Sequence, residues 1–312
     1  MKKAIVIFNP RAGQGKSFSP FLLKLIGVRH RNFDQRKPGE GYVDIIRESL
    51  REGGVEAEIK FTQASGHATQ IAYESVQAGH DLIIAVGGDG TINEVINGMV
   101  GFNATLGVIP LGTVNIFALQ LNLPMDIRQA CKVIASGRTC LVDLGKGRDR
   151  YFACFAGVGF DAYVIKTADS RLKKFLGALA YVFVAIVQVF RYRFQKIMVR
   201  VDDQDKDWSG HFVLISNGKY YAGDRILASK ADYTDGLLDI CLFKQKNLLS
   251  LYAYLLGLFK NEPDKYLKME YFQCKKISVL REGHHAVHVD AEYLCETPVD
   301  FEIAPQALKV AV

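Results

Sequence analysis

The stretch DLIIAVGGDGTINEV, residues 81–95, decides the fold class of this chain. Its first half is a short apolar run rich in isoleucine and valine, typical of a strand buried on both faces. Three glycines surround Asp89, and Thr91 and Glu94 then stand three apart, which is the spacing of a capping box. The pattern predicts a strand, a glycine turn and the N-terminus of a helix.

This glycine turn is a candidate anion site. Backbone N–H groups in such a turn can approach an anion closely, and the helix dipole favours negative charge at that end. Asp89 would repel a phosphate directly, so the sequence predicts either a divalent cation between them or a proton on Asp89. The alternative interpretation is an ordinary turn with a solvated Asp89.

Composition bounds the class of protein. The chain has 312 residues with 49% hydrophobic and 23% charged content, which predicts a soluble globular protein of two domains. A net charge of +6 is compatible with anionic substrates or an anionic membrane surface and is too weak to indicate nucleic acid. Six scattered cysteines without a C-x-x-C pair predict reduced thiols of a cytosolic protein, not a disulfide frame or zinc site.

The apolar runs are too short for targeting or spanning segments. The N-terminal run ends at Phe8 and predicts a first strand instead of a signal peptide. The longest run, residues 176–190, falls short of the roughly 18–20 residues that a spanning helix needs. We expect a buried helix at about 170–192, although its basic flanks leave a helix near anionic headgroups open.

Strands alternate with helices up to about residue 137, which predicts a parallel α/β sheet with helices on both faces. Asn9, Thr62, the glycine turn and Thr113 follow successive strands, so we expect them to converge at one sheet edge. Residues 11–17 nearly form a Walker A loop, but Pro10 occupies its first glycine position and excludes a P-loop.

A β-rich domain is expected to follow, with helices only at about 170–192 and 247–259. The predicted domains are 1–140 and 141–303, and the tail at about 304–312 is expected to return to the first. The predicted strands of the second domain are 150–159, 197–201, 211–217, 237–243, 275–280, 286–291 and 299–303.

Two acidic motifs lie in the second half. Asp232 and Asp235 fall in a turn that is either an ordinary Asp-Gly turn or a site for a hard cation, with the backbone carbonyls of Asp232 and Leu237 joining Asp235. Alternation along a strand at 286–293 would place the titratable side chains of His288, Asp290 and Glu292 on one face, which is either functional or merely solvated. Zinc is not expected there, because the histidines lie too far apart on a strand.

With these motifs in order, the chain resembles the diacylglycerol kinase and sphingosine kinase-like family of lipid kinases, the bacterial type in particular. The resemblance spans residue 4 to about 295. The segments that carry it are 9–13, Thr62, 87–95, 110–115, 142–145, 157–161, 235–239 and 290–292.

The resemblance implies an N-terminal nucleotide-binding α/β domain, like that of NAD kinases and phosphofructokinases, and a C-terminal β-rich sandwich. It implies Glu292 as general base with Asp290 and Asp89 as catalytic partners, and a magnesium site at Asp232, Asp235 and Leu237. The ATP-binding residues that it implies are Asn9, Pro10, Arg11, Ala12, Gly13, Thr62, Gly87, Gly88, Asp89, Gly90, Thr91, Ile92, Asn93 and Thr113.

The predicted function is therefore an ATP- and Mg²⁺-dependent lipid kinase, cytoplasmic and peripherally bound to a membrane, with no nucleic-acid partner. The alternatives are a kinase of a soluble substrate such as NAD and a non-catalytic nucleotide-binding protein at the membrane. The lipid acceptor and a homodimer are left open. Three positions depart from the family pattern, namely Ile116 for Asp, and Ala222 and Ala291 for Gly.

Overall fold

The computed structural model of the chain describes a defined set of residues. The predicted loop from Gly13, most of the 28–42 excursion, and most of the helices expected at about 170–192 and 247–259 lie outside it. The described residues are 2–12, 40–167, 192, 194–202, 204–244, 256–257, 260–266, 268–280 and 283–312.

The chain forms two compact units. The first combines Met1–Val142 with Gln306–Val312, and the second is Asp143–Pro305. Among the described residues, no helix combines the length and apolarity needed to span a membrane.

The first unit is a parallel sheet with helices packed on it. Its strands are β1 (Lys2–Phe8), β2 (Val55–Phe61), β3 (Leu82–Gly87) and β4 (Thr105–Pro110), in the order β2-β1-β3-β4. All six residues of β3 are buried, as expected for a central strand covered on both faces.

Among its described residues, this unit has five helices. They are α1 (Glu40–Glu52), α2 (His67–Gln77), α3 (Asp89–Met99), α4 (Ile116–Gln120) and α5 (Ile127–Ser136). Ile46 of α1 and Ile134 of α5 pack on alternate residues of the sheet in one core. The α2 and α3 helices approach closely at Gly98, where a Cβ would lie 2.8 Å from Cβ of Ala72. Helices flanking a parallel sheet confirm the predicted α/β class.

The second unit is an antiparallel β sandwich. The strands of one sheet, in spatial order, are β14 (Met269–Cys274), β13 (Leu238–Phe243), β10 (Phe212–Ser216), β7 (Phe155–Val158), β16 (Ala286–Val289) and β17 (Glu292–Glu296). The other sheet includes, again in spatial order, β18 (Val299–Ala311), β15 (Lys276–Val279), β8 (Ile197–Val201) and β9 (Asp207–Gly210). Side chains of both sheets share one core, including Val213 and Ile240 from the first and Val199, Ile277 and Phe301 from the second. The predicted β-rich sandwich is confirmed.

Of the seven strands predicted for this unit, four match observed strands within one residue at each end, namely 197–201, 211–217, 237–243 and 275–280. The prediction missed several other elements. The remaining elements among the described residues are β5 (Thr139–Gly147), β6 (Arg150–Phe152), α6 (Phe160–Thr167), β11 (Tyr220–Ala222), β12 (Arg225–Ile226) and α7 (Pro263–Tyr266).

Three of the predicted strands have other bounds in the structure. The strand expected at 299–303 continues to Ala311 in β18. The strand expected at 150–159 is two strands, β6 and β7, with a break at residues 153–154. The strand expected at 286–291 ends at Val289, after which the chain reverses into β17. Periodicity alone does not show where a strand breaks or turns, because both sides of the break are apolar.

Candidate active site

Glycines allow the turn after β3 to touch a neighbouring turn. A Cβ on Gly87 would lie 2.7 Å from Cβ of Thr91, and one on Gly112, after β4, would lie 2.5 Å from Cα of Gly88. The two turns therefore meet backbone against backbone, and Gly88 is the N-cap of α3 in an extended conformation. Close packing of the two turns is therefore the reason for glycine at these positions, and no positive φ angle is needed to explain them.

Asn9 joins the end of β1 to this turn. Its Nδ2 donates to Oγ1 of Thr91 at 2.9 Å, and its Oδ1 accepts from N–H of Arg11 at 3.0 Å. The N–H of Thr62, directly after β2, donates to the carbonyl of Phe8 at 2.9 Å. Residues that follow β1, β2 and β3 thus lie at one edge of the sheet, as the sequence predicted.

The other expected nucleotide-site residues differ in exposure. Pro10 and Ala12 are half-buried, while Arg11 and Thr113 are exposed. The side chain of Ile92 is 1% exposed and belongs to the core, so Ile92 can offer a ligand only its backbone. Gly13 lies outside the described residues.

Asp89 has a structural partner that the sequence interpretation did not foresee. Its Oδ1 accepts a hydrogen bond from N–H of Phe117 at 3.2 Å, in the first turn of α4. Asp89 is also the first residue of α3. Its charge therefore lies at the N-termini of two helices, where the macrodipole favours an anion.

The predicted capping box of Thr91 and Glu94 was wrong. The α3 helix begins at Asp89, two residues earlier, and Gly88 makes no side-chain cap. Glu94 instead caps α2: it accepts from the N–H groups of Gly66 at 2.9 Å and of Ala68 at 3.1 Å. Spacing within one helix does not reveal a capping residue that belongs to a neighbouring helix.

The acid motif of the second unit lies in a tight hairpin turn, so the predicted alternation along one strand face was wrong. Val289 pairs with Glu292, and Asp290 and Ala291 between them have φ angles of 43° and 62°. Positive φ at both central residues is the geometry of a type I′ turn. Alanine at position 291, where the family often has glycine, therefore matters through backbone strain. It does not matter through a methyl group on the core face of a strand, as the alternation had implied.

Asp290 fastens this hairpin to the segment after β6. Its carboxylate accepts three backbone hydrogen bonds, from N–H of Ala153 at 2.7 Å and from those of Cys154 and Phe155 at 3.0 Å each. Burial raises the pKa of Asp290, and the three N–H donors oppose that shift. The bonds fix the position of Glu292, two residues further on.

Glu292 is 39% exposed and forms an ion pair with Arg150, the first residue of β6, through Oε2. Sequence reasoning missed Arg150, and no pattern around it could have indicated the contact, since 142 residues separate the two. The ion pair holds the carboxylate in one orientation.

The acidic turn, defined as residues 232–237, has the oxygen donors that a hard cation prefers. Oδ1 of Asp232 accepts from N–H and Oγ1 of Thr234, and Oδ1 of Asp235 accepts from N–H of Leu237. Burial raises the pKa of Asp235, and the charges of Asp232 and Asp143 add to the shift, which a bound cation would relieve. Among described residues, no three His, Cys, Asp or Glu side chains cluster as metal ligands.

A buried His–Asp pair also lies in the second unit. Nε2 of His288 lies 2.8 Å from Oδ2 of Asp161, which accepts from the hydroxyl of Tyr221 at 3.3 Å. Gly157 makes room, because a Cβ there would overlap both members of the pair. The sequence motif at 157–161 had marked Asp161 as a candidate functional residue. Its contact with His288 was found only from the structure.

Comparison with known proteins agrees with this architecture. A family model described as the diacylglycerol kinase catalytic domain matches residues 34–147, and the YegS C-terminal NAD kinase beta sandwich-like domain matches residues 155–312. A diacylglycerol kinase of Staphylococcus saprophyticus is 33% identical over 263 residues, 84% of this chain and 86% of that protein. One of Staphylococcus carnosus is 31% identical over 313 residues, 99% and 94% of the two chains.

A crystal structure of a diacylglycerol kinase from Bacillus anthracis shares the fold, with a TM-score of 0.71 at 22% identity over 99% of this chain and 96% of that chain. The chain belongs to the diacylglycerol kinase family and is an enzyme of the lipid kinase class. The resemblance predicted from the sequence is confirmed.

Proposed function

We propose that this chain transfers the γ-phosphoryl group of ATP to a lipid hydroxyl, with Glu292 as general base. The observation that carries the proposal is the hairpin of the second unit. Three backbone N–H groups hold Asp290 and thereby present the partly exposed carboxylate of Glu292 in a fixed place. In this proposal Asp290 is a positioning residue, because its own carboxylate is occupied by the backbone.

The first unit binds the nucleotide in this proposal. Backbone N–H groups at the start of α3 face the phosphates, in the manner of other helix N-termini. Asn9 organises this edge through its bond to Thr91. The residues proposed to contact ATP are Asn9, Pro10, Arg11, Ala12, Gly13, Thr62, Gly87, Gly88, Asp89, Gly90, Thr91, Asn93 and Thr113, with Ile92 through its backbone only.

Transfer of the phosphoryl group exchanges one bond to phosphorus for another. The lipid oxygen bonds to the γ-phosphorus, the bond from that phosphorus to the β,γ-bridging oxygen breaks, and the hydroxyl proton passes to a carboxylate oxygen of Glu292. Arg150 keeps this carboxylate oriented before transfer.

Cations are part of the proposal. Mg²⁺ bound with the nucleotide would neutralise charge that develops on the phosphate oxygens. We propose that Asp89 helps to hold it, and that Asp232, Asp235 and the carbonyl of Leu237 hold a second, structural cation. The raised pKa of Asp235 supports the second site, because a cation offsets the same repulsion.

Diacylglycerol, which the relatives' names give as their substrate, is the first acceptor to test. A lipid acceptor lies in a membrane, so the proposal includes peripheral membrane contact from the cytoplasm, and the net charge of +6 favours an anionic surface. A homodimer is compatible with the proposal but is not needed for it.

The deciding experiment presents labelled ATP and Mg²⁺ with a panel of acceptors and identifies products by mass spectrometry. The panel holds diacylglycerol, monoacylglycerol, a sphingoid base, phosphatidylglycerol and NAD, and Glu292→Gln serves as the inactive control. We expect label in a lipid and none in NAD. Label in NAD alone, or ATP binding without transfer to any acceptor, would overturn the proposal.

A further inference from the structure

The segment that joins β6 to β7 is held from two sides. Asp290 occupies the N–H groups of Ala153, Cys154 and Phe155. From the other side, Asn217 donates through Nδ2 to the carbonyl of Ala153 at 3.0 Å and through its backbone N–H to the carbonyl of Cys154 at 2.9 Å. Asp290 and Asn217 therefore share one short piece of backbone.

The same Asn217 amide reaches towards the acidic turn. Its Nδ2 also donates to the carbonyl of Asp143 at 2.8 Å. Asp143 is tied to the turn by two bonds of 2.7 Å: its Oδ2 accepts from N–H of Gly236, and its N–H donates to the carbonyl of Tyr233. One side-chain nitrogen thus connects two regions that are otherwise far apart in sequence.

Burial makes this connection stiff. Asn217 and Asp143 are each 1% exposed, so water does not compete for their hydrogen bonds, and an unmade bond there is costly. Both N–H groups of the amide are used on two carbonyls, and neither an aspartate nor a leucine of similar size offers two such donors. The bonds that Asn217 makes are specific to its residue type.

We propose that Asn217 is a positioning residue that couples the acidic turn to the hairpin carrying Glu292. The path runs from Gly236 through Asp143, Asn217 and Ala153 to Asp290, two residues before Glu292. A change in the turn then shifts the carboxylate of Glu292. This inference rests on the proposed function, because it treats Glu292 as the base.

The test compares Asn217→Ala with a matched control, Ser216→Ala. Ser216 is the preceding residue, is 1% exposed, and donates through Oγ to the carbonyl of Gly218, so its loss removes a buried bond outside the path. The readouts are the melting temperature, hydrogen exchange of peptides over 232–237 and 289–296, and kcat and KM with the lipid that serves as acceptor.

We expect both variants to lower the melting temperature. Only Asn217→Ala should speed hydrogen exchange in both peptides, and it should lower kcat by roughly 10- to 100-fold with KM for ATP unchanged, since a small misplacement of a reacting group is enough for that loss. Unchanged exchange of the hairpin peptide, or equal effects of the two variants, would overturn the inference.

A second variant keeps the test decisive if Asn217→Ala does not fold. Asp143→Asn preserves shape and weakens only the bond from Gly236, and it enters a double-mutant cycle with Asp290→Asn, read on exchange of the 289–296 peptide. Additive effects would overturn the coupling, and non-additive effects support it. Exchange needs no substrate, so a wild type that phosphorylates no lipid refutes the proposed function and still leaves the coupling measurable.

Discussion

Arg150 donates a hydrogen bond to Oε2 of Glu292, so the proposed base is held as an ion pair within the second unit. A guanidinium fixes a carboxylate in one plane better than an ammonium group does. The ion pair with Arg150 therefore orients the carboxylate of Glu292 before the substrate binds. Its value for stability is small, because both side chains are partly exposed.

Glu292→Gln should remove the base while keeping the shape of the side chain. We expect kcat to fall by about 100-fold or more, the usual contribution of a general base, with a melting temperature close to that of the wild type. Glu296→Gln, on the same strand and paired with Lys166, is the control that should keep kcat. Near-normal turnover in the Glu292 variant would exclude its assigned role.

Asp89→Asn tests the carboxylate at the two helix N-termini. If Asp89 helps to hold the cation of the nucleotide, turnover should fall on the order of 100-fold and more Mg²⁺ should be needed for half-maximal rate. The bond to N–H of Phe117 survives with a neutral acceptor, so stability should change little. Asp81→Asn, exposed before β3, is the control. If the Mg²⁺ concentration for half-maximal rate is unchanged, Asp89 does not help to hold the cation and has only the structural role of accepting the bond from Phe117.

Ala291→Gly should stabilise the second unit. Ala291 has a φ of 62°, which costs an L-residue roughly 1 kcal/mol and costs glycine little. We expect a gain of about 1 kcal/mol, seen as a higher melting temperature. Ala57→Gly in β2, where φ is not positive, should instead lower it. A lower melting temperature of the Ala291→Gly variant would show that the backbone of Ala291 is not strained.

Glu94→Ala should loosen the start of α2. The carboxylate serves two backbone N–H groups there, and losing such a cap costs about 1–2 kcal/mol. The amide of Ala68 should exchange faster with solvent deuterium. Glu74→Ala, which removes only an exposed bond from Gln70, should leave that amide unchanged. Equal exchange of Ala68 in both variants would show that Glu94 is not the cap.

Local patterns predicted the first unit well, because parallel strands are continuous apolar runs and their turns carry glycine. The strand at 55–61 has the bounds expected from sequence, and the residues after β1, β2 and β3 meet at one edge. Here each signal is local, and the chirality of parallel crossovers leaves few other arrangements.

The second unit was harder to predict, because its important contacts join residues far apart in sequence. Glu292 with Arg150 and Asn217 with Asp143 are separated by 142 and 74 positions, and nothing local marks either pair. The turn at Asp290 and Ala291 was missed for another reason. Neither residue is glycine, so the usual signal of a type I′ turn is absent.

Asp239 gives the second unit a pH-dependent stability. It is fully buried on β13, and burial, followed by the charges of Asp235 and Asp232, raises its pKa from 3.8 to about 6 although the hydroxyl of Tyr271 donates to it. Between these two values the folded state holds a proton that the unfolded state has released. The free energy of unfolding therefore falls as pH rises from about 4 to about 6.

The substitution Asp239→Asn should remove the decrease in the free energy of unfolding between about pH 4 and about pH 6, since an amide does not ionise. In the presence of EDTA we expect the variant to exceed the wild type in stability at pH 7 by up to about 3 kcal/mol, two pKa units at about 1.4 kcal/mol each, and to match it near pH 3.5. Asp300→Asn, exposed on β18, should show no such trend. The measurement is the melting temperature of each protein across this pH range. A difference between wild type and Asp239→Asn that stays constant with pH would contradict the prediction. It would mean that Asp239 is ionised in the folded protein throughout, and that its charge is compensated inside the sandwich.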